Sequence, residues 1–289
     1  SVDYLTRVFE ADWVIRYSGG SQCGHNVQLP DGRRHTFSQF GAGTFAGAKT
    51  YLGQQVIVNP TALRSEATHL QQMGVSDPSS LLHMHRRCLV STVFHQRLNQ
   101  IKELARGSHR HGSCGHGIGE TRSYWLKYGE DAIVVQDLDG GSVLRDKLEL
   151  LKQRTLIEIS DVIAGVGKDT HGIVWKPDEK DLTIKGLMDV RTYNLASWYK
   201  EFGDLYCRVG MSDCPNFETA VFEGAQGVLL DEWFGFHPYT TWGTITPHFA
   251  VQMIEGTPTE VSILGITRAY TTRHGAGPFP TKNKLLTQQ

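Results

Sequence analysis

The run Trp13-Val14-Ile15-Arg16-Tyr17 stops abruptly at Ser18-Gly19-Gly20. Apolar, β-prone residues closed by glycine predict a buried strand that ends in a tight loop. Gln55-Val56-Ile57-Val58, Ala220-Val221-Phe222-Glu223 and Val261-Ser262-Ile263-Leu264-Gly265-Ile266 read as further strands, the third of the four stopping at Gly224. Helical spacing lies between them. Residues 2–10 read as a short helix. Asn59 and Pro60 supply an N-cap and a first-turn proline for a helix reaching Met73. Val93, Phe94, Leu98, Ile101 and Leu104 mark one helical face, ended by Gly107. Long helices are predicted over 143–163 and 182–206, with a polar loop over 165–181 between them.

Strands alternating with helices predict an α/β fold, its central sheet largely parallel and flanked by helices. The expected organisation is one domain over residues 1–289, with a helical subregion at about 90–206. In such sheets ligands bind beyond the carboxyl ends of the strands. Three glycine-rich segments, 19–24, 112–119 and 224–227, are the candidates to meet an anion through backbone N–H groups.

Composition narrows the function classes. The 289 residues carry 29 Lys plus Arg against 30 Asp plus Glu, so charge gives no case for nucleic acid or a membrane surface. The five cysteines, Cys23, Cys88, Cys114, Cys207 and Cys214, contain no CxxC pair, which indicates neither a disulfide framework nor a zinc cluster. No apolar run approaches the ~20 residues of a membrane span, and the first residues lack signal-peptide character. A cytoplasmic location is expected.

Four segments bring together groups able to do chemistry. Ser18-Gly19-Gly20-Ser21-Gln22-Cys23-Gly24-His25-Asn26 places a histidine just past a strand, able to stabilise charge near neutrality or simply to cap backbone. Arg110-His111-Gly112-Ser113-Cys114-Gly115-His116-Gly117-Ile118-Gly119 suits a phosphate cradle. Its histidines, with His109, have no familiar metal-ligand spacing, and Cys114 has no identifiable base. Phe222-Glu223-Gly224-Ala225-Gln226-Gly227, followed by Asp231 and His237-Pro238-Tyr239-Thr240-Thr241-Trp242, offers an amide and two hydroxyls, with Tyr239 and Trp242 read as core aromatics. Thr267 to Thr281 closes the last strand with a basic, glycine-rich loop in which Arg273 can face a phosphate or solvent.

The order of these segments resembles the adenylosuccinate synthetase family. Arg16-Tyr17-x-Gly19-Gly20-x-x-x-Gly24-His25 resembles its RYxGGxNAGHT segment, and Gly112 to Gly119 its GTTGRGIG loop. Phe222 to Asp231 resembles FEGAQGxLLD. Pro238-Tyr239-x-Thr241 resembles PYVT, and Ala269 to Thr281 resembles AYSTRxGAGPFPT. The resemblance implies a ligase that couples L-aspartate to C6 of a purine nucleoside monophosphate, normally IMP, through a 6-phosphoryl intermediate. GTP is the co-substrate (ATP being the alternative), Mg²⁺ is the cofactor, and the protein is a homodimer.

By the same resemblance His25 and Lys127 are catalytic. Gln22, Cys23, Gly24, Ser113, Cys114, Gln226, Thr241 and Arg273 hold the purine nucleotide. Gly24, His25 and Asn26 meet the triphosphate, and the Gly24 backbone meets the metal. Gln22, Asn26, Cys114 and His116 depart from the family's residues, and two residues are inserted before Tyr124. The arginine that the family lends across its dimer then falls on Glu130, leaving Arg122 as a replacement. The family's opening strand with its GDEGKG loop, and its segments after FPT, are expected outside residues 1–289. A sheet without that strand would expose an edge and apolar surface. Two alternatives stand beside IMP ligation: a relative acting on another 6-oxopurine nucleotide such as GMP or dGMP, and a non-catalytic nucleotide-binding module.

Overall fold

The computed structural model describes residues 1–106, 109, 111–166, 186, 188–206, 215–257, 260–269, 271–273 and 277–283. Helix α1, Val2–Val8, precedes strand β1, Trp13–Arg16. A hairpin of β2, His25–Gln28, and β3, Arg34–Phe37, follows. Then come β4, Lys49–Leu52, β5, Ile57–Val58, and α2, Pro60–Gln72. Strands β6, Leu82–Met84, and β7, Leu89–Val90, lead into four helices: α3, Val93–Ala105, α4, Ile118–Tyr128, α5, Ser142–Val166, and α6, Thr192–Tyr206. The chain returns to the sheet as β8, Ala220–Glu223, and the last element among the described residues is α7, His248–Met253.

The main sheet runs β6-β4-β1-β8 with every pairing parallel, as the alternating pattern predicts. Val14 and Ile15 are closed to solvent, so β1 is buried on both faces. The register sets Arg16 against Leu52 on one side and Glu223 on the other. Strands β5 and β7 form a separate parallel pair, to which Gly20 adds a bridge at Ile57. The helical region predicted at about 90–206 is an excursion between β7 and β8.

Local chemistry explains the helices. The Asn59 side chain accepts from Ala62 N–H at 3.1 Å, and Pro60 occupies the first turn of α2. In α5, Leu144, Leu148, Leu151, Thr155 and Ile159 are buried on one stripe, facing α3 and α6. Gly117 starts α4 at φ +74°, and a Cβ there would stand 2.7 Å from the α3 backbone, so only glycine lets these helices cross.

Several expectations change. Residues 165 and 166 remain helical in α5, the rest of the 165–181 loop and Gly107 lying outside the described residues. The single helix expected over 182–206 is interrupted at Asp189 to Arg191. Lys152 Nζ binds the carbonyls of Met188 and Val190 at 2.7 and 2.8 Å, taking acceptors that a continuous helix would use. Residues 261–266 form no strand. Val261, Ile263, Leu264 and Ile266 are at least half exposed, because alternation supplies strand propensity but not a hydrogen-bonded neighbour. Among the described residues no helix is long and apolar enough to cross a membrane.

Segment 38–42 is gripped from three directions. Glu66 on α2 accepts from Ser38 N–H, Gln39 N–H and the Ser38 hydroxyl at 2.6–2.8 Å. Arg16 donates to the carbonyls of Ser38 and Phe40. Glu223 Oε2 accepts from Ala42 N–H at 3.0 Å. Replacing Glu66 with leucine strands buried donors, each costing about 1–3 kcal/mol. Urea denaturation of Glu66→Leu is expected to show a loss of roughly 3–5 kcal/mol; a loss below about 1 kcal/mol would contradict the bracing role.

Candidate functional site

The carboxyl ends of β1 and β8 stand side by side, and each runs straight into a glycine-rich loop. Gly19, at φ +94°, lies so close to both that a Cβ would meet Cys23 Sγ at 2.6 Å and the Ala225 Cβ at 2.8 Å. This close approach packs the 18–24 loop against the 224–227 loop. Gln226 adopts φ +69°, a left-handed conformation that a residue with a Cβ holds only under constraint from its surroundings.

A cavity of about 200 Å³ opens between these loops, lined by Ser18, Gly19 and Gln22 from the first and Gln226 from the second. Thr241, Trp242 and Ile245 close it from the following segment, and Arg122 and Trp125 from α4. Ser18 Oγ and Gln22 Oε1 are buried without a hydrogen-bond partner. Orphaned polar atoms facing a cavity are what a ligand-binding site leaves when read from its protein atoms alone.

Asp231 fixes the third wall. Fully buried, it accepts from the N–H groups of Trp233, Phe234, Ile245 and Thr246, the shortest at 2.6 Å. Burial works against its charge, but those four amides hold its carboxyl below the usual range. The loop it anchors also binds Thr241 N–H to the Leu230 carbonyl at 2.8 Å. Trp242 is 51 % exposed and Tyr239 is half-buried, so neither is the core aromatic expected; Trp242 forms cavity wall instead.

His25 opens β2 beside this cavity without lining it. Its Nδ1 stands 2.8 Å from Glu223 Oε1, and its Nε2 stands 3.4 Å from Arg16 Nη2. Burial disfavours the charged ring. Contacts with Cys23 and Glu223 outweigh that and push the pKa up to about 9. With its pKa near 9 the ring carries its charge at neutral pH, and its Nε2 faces the Arg16 guanidinium at 3.4 Å. Burial raises the Cys23 thiol, but His25 and Arg16 bring it below the ordinary value overall. Burial likewise opposes the Glu223 charge, and His25 and Arg16 more than offset it. Glu223 and Arg16 were legible as motif letters only; the signal that marks them is a charge at the last position of each of two paired parallel strands.

The other candidates sit apart. Ser113 and Cys114 are exposed and outside the cavity. The Gly112 and Ser113 amides, expected to cradle phosphate, donate to the Glu103 carboxylate at 3.0 and 3.2 Å, a carboxylate standing where an anion would. His116 nonetheless joins this loop to the first, its Nδ1 lying 3.0 Å from Ser21 Oγ. Asn26 bonds Thr36 across the hairpin. Arg273 donates to the Tyr239 carbonyl at 3.4 Å, two residues from Thr241. Lys127 is exposed on the opposite face of α4 from Arg122, over the Tyr128 ring, and lines a separate cleft with His95, Glu120 and Arg154. Arg110, Cys207, Cys214, Tyr270 and residues 274–276 lie outside the described residues. Among the described residues no three acidic, histidine or cysteine side chains converge as a metal site. The Gly24 carbonyl alone is one hard oxygen, too few donors for Mg²⁺ without ligand phosphates or water, so no step is assigned to a metal.

Comparison with known proteins bears on what this arrangement does. The family described as adenylosuccinate synthetase matches residues 1–289. An adenylosuccinate synthetase of Clostridium botulinum (strain Eklund 17B / Type B) is 31% identical over 285 residues, 97% of this chain and 61% of that protein. One from Mycobacterium leprae (strain TN) is 30% identical, covering 94% of this chain and 59% of its own length. The chain thus spans about three-fifths of the curated relatives it matches. The structure of fully ligated adenylosuccinate synthetase from Plasmodium falciparum superposes with a TM-score of 0.71 at 18% identity, over 99% of this chain and 63% of that one, which shows a shared fold.

The sign of the His25 shift sets a test. A pKa raised from 6.5 to about 9 gives stability that is whole below about pH 6.5 and lost as pH rises through about 9. The His25 ring is expected to titrate near 9 by NMR in the wild type, and at clearly lower pH in Glu223→Gln. A midpoint unchanged by that substitution would show that Glu223 does not hold the charge.

Proposed function

Because the chain belongs to the adenylosuccinate synthetase family, we propose that it forms the nucleotide-gripping part of a ligase joining L-aspartate to C6 of a 6-oxopurine nucleoside monophosphate. IMP is the proposed substrate, GTP the energy donor, Mg²⁺ the cofactor, and a homodimer the working form. The observation that carries this reading is the convergence of Gln22, Gln226 and Thr241, from three separate segments, on one cavity whose polar atoms include unpartnered ones.

In the proposed mechanism these side chains fix the nucleotide. Amides and hydroxyls suit the task because they present donors and acceptors in set directions without adding charge. The γ-phosphoryl group of the triphosphate passes to O6, leaving the nucleoside diphosphate, as N1 gives up its proton; the aspartate amine then attacks C6, and phosphate departs as the amine loses a proton. Negative charge grows on the oxygens around the transferred phosphoryl. His25 is the group proposed to meet it, as an imidazolium held ready by Glu223, with Nε2–H as donor. A pre-charged, pre-oriented donor stabilises that charge without reorganising during the step. Gly24 and Asn26, flanking His25, are proposed to face the triphosphate. Ser113, Cys114, Arg273 and Lys127 lie outside the cavity, so their proposed roles require their loops, or a second subunit, to bring them to the nucleotide.

Full-length protein, incubated with aspartate, GTP or ATP, and IMP, GMP or dGMP in turn, is expected to release phosphate only when a matching nucleotide and aspartate are both present. His25→Ala is expected to slow turnover by about 100-fold or more. No phosphate with any nucleotide would defeat the ligase reading, and wild-type turnover by His25→Ala would defeat the role of His25.

A further inference from the structure

The cavity carries one feature that the grip on a purine does not explain. Among the described residues lining it, Arg122 is the sole cation. Its Nη2 donates at 3.3 Å to the carbonyl and the side-chain oxygen of Gln55, and its guanidinium lies 5.6 Å from the centre of the Trp125 ring. It makes no ion pair with a described carboxylate; Glu232, the one acidic residue on the wall, is engaged by Thr244 and acts on it only through space. A half-buried guanidinium without a carboxylate partner keeps donors in reserve. Burial strips water from it and pulls its pKa down, a cost that a bound anion would reverse.

The neighbours agree with an anion. Ser18 Oγ is an unpartnered hydroxyl, able to donate, and the Gln22 amide can turn its NH₂ inward. At about 200 Å³ the cavity falls below the roughly 300 Å³ at which small-molecule pockets begin, so it admits one end of a nucleotide. An arginine, a free hydroxyl and an amide describe the end that carries phosphate. The guanidinium is itself planar, with N–H groups in one plane, the geometry that a phosphate accepts bidentately. The cation comes from this chain's own α4, one helical turn from Trp125.

Resting on the nucleotide reading above, we propose that Arg122 is the specificity residue by which this cavity takes a phosphate monoester in preference to the corresponding neutral nucleoside.

The test compares ligand pairs that differ only in phosphate, IMP with inosine and dGMP with deoxyguanosine, using quenching of the fluorescence of Trp125 and Trp242. Wild-type full chain is expected to bind each monophosphate at least about tenfold more tightly than its nucleoside, with the difference shrinking as salt rises. Arg122→Met, which keeps an apolar stem against Trp125, is expected to bind both members of a pair alike. Arg122→Lys is expected to keep part of the preference, since it keeps charge but not the fork. If Arg122→Met does not fold, the lysine variant decides through the same ratio. A monophosphate preference that survives both substitutions overturns the proposal while leaving the nucleotide reading intact. A wild-type protein that binds no purine monophosphate overturns both.

Discussion

A single buried carboxylate organises this molecule. Glu223 sits at the last position of β8, 1 % exposed, where an uncompensated charge would cost several kcal/mol. Three groups make it tolerable: the Ala42 amide, the His25 ring, and Arg16, its register partner on β1. Each belongs to a different segment. Offsetting the Glu223 charge therefore ties together the β1–β8 register, the path of residues 38–42, and the start of the β2–β3 hairpin. Arg16 carries the bracing further, to the carbonyls of a segment whose amides donate to Glu66. The two glycine loops that follow Arg16 and Glu223 then have one place to go, and the cavity lies between them.

The helical excursion supplies the remaining wall through one element. Helix α4 turns Arg122 and Trp125 toward the cavity and Ser123, Tyr124 and Lys127 away from it, a division that helical periodicity makes unavoidable for residues so spaced. Its placement depends on Gly117 against α3, and α3 in turn packs on the buried stripe of α5. Packing far from the loops thus sets which α4 side chains meet a ligand.

Much of this was legible in the sequence, and the pattern of success has a physical reason. Strands β1 and β8, the Asn59-Pro60 start of α2 and the α5 stripe follow from local propensity and periodicity, which a short window contains. The convergence of Gln22, Gln226 and Thr241 followed from motif order, not from any single residue. What escaped was decided at long range. The Lys152 contacts that interrupt the helix before α6, the Glu103 carboxylate occupying the Gly112–Ser113 amides, and the want of a neighbour for residues 261–266 all join positions that no local pattern relates. The same holds for Trp242, whose aromatic character reads as core and whose position is cavity wall.

On the proposed function, one cavity, between the loops following β1 and β8, receives the phosphate end of the purine monophosphate. A crystal structure of the full-length protein with IMP or dGMP tests it most directly. The expected result is nucleotide density bounded by Gln22, Gln226 and Thr241, with the His25–Glu223 contact intact. Density seated elsewhere, for example in the cleft beside His95 and Lys127, with this cavity filled only by water, would contradict it.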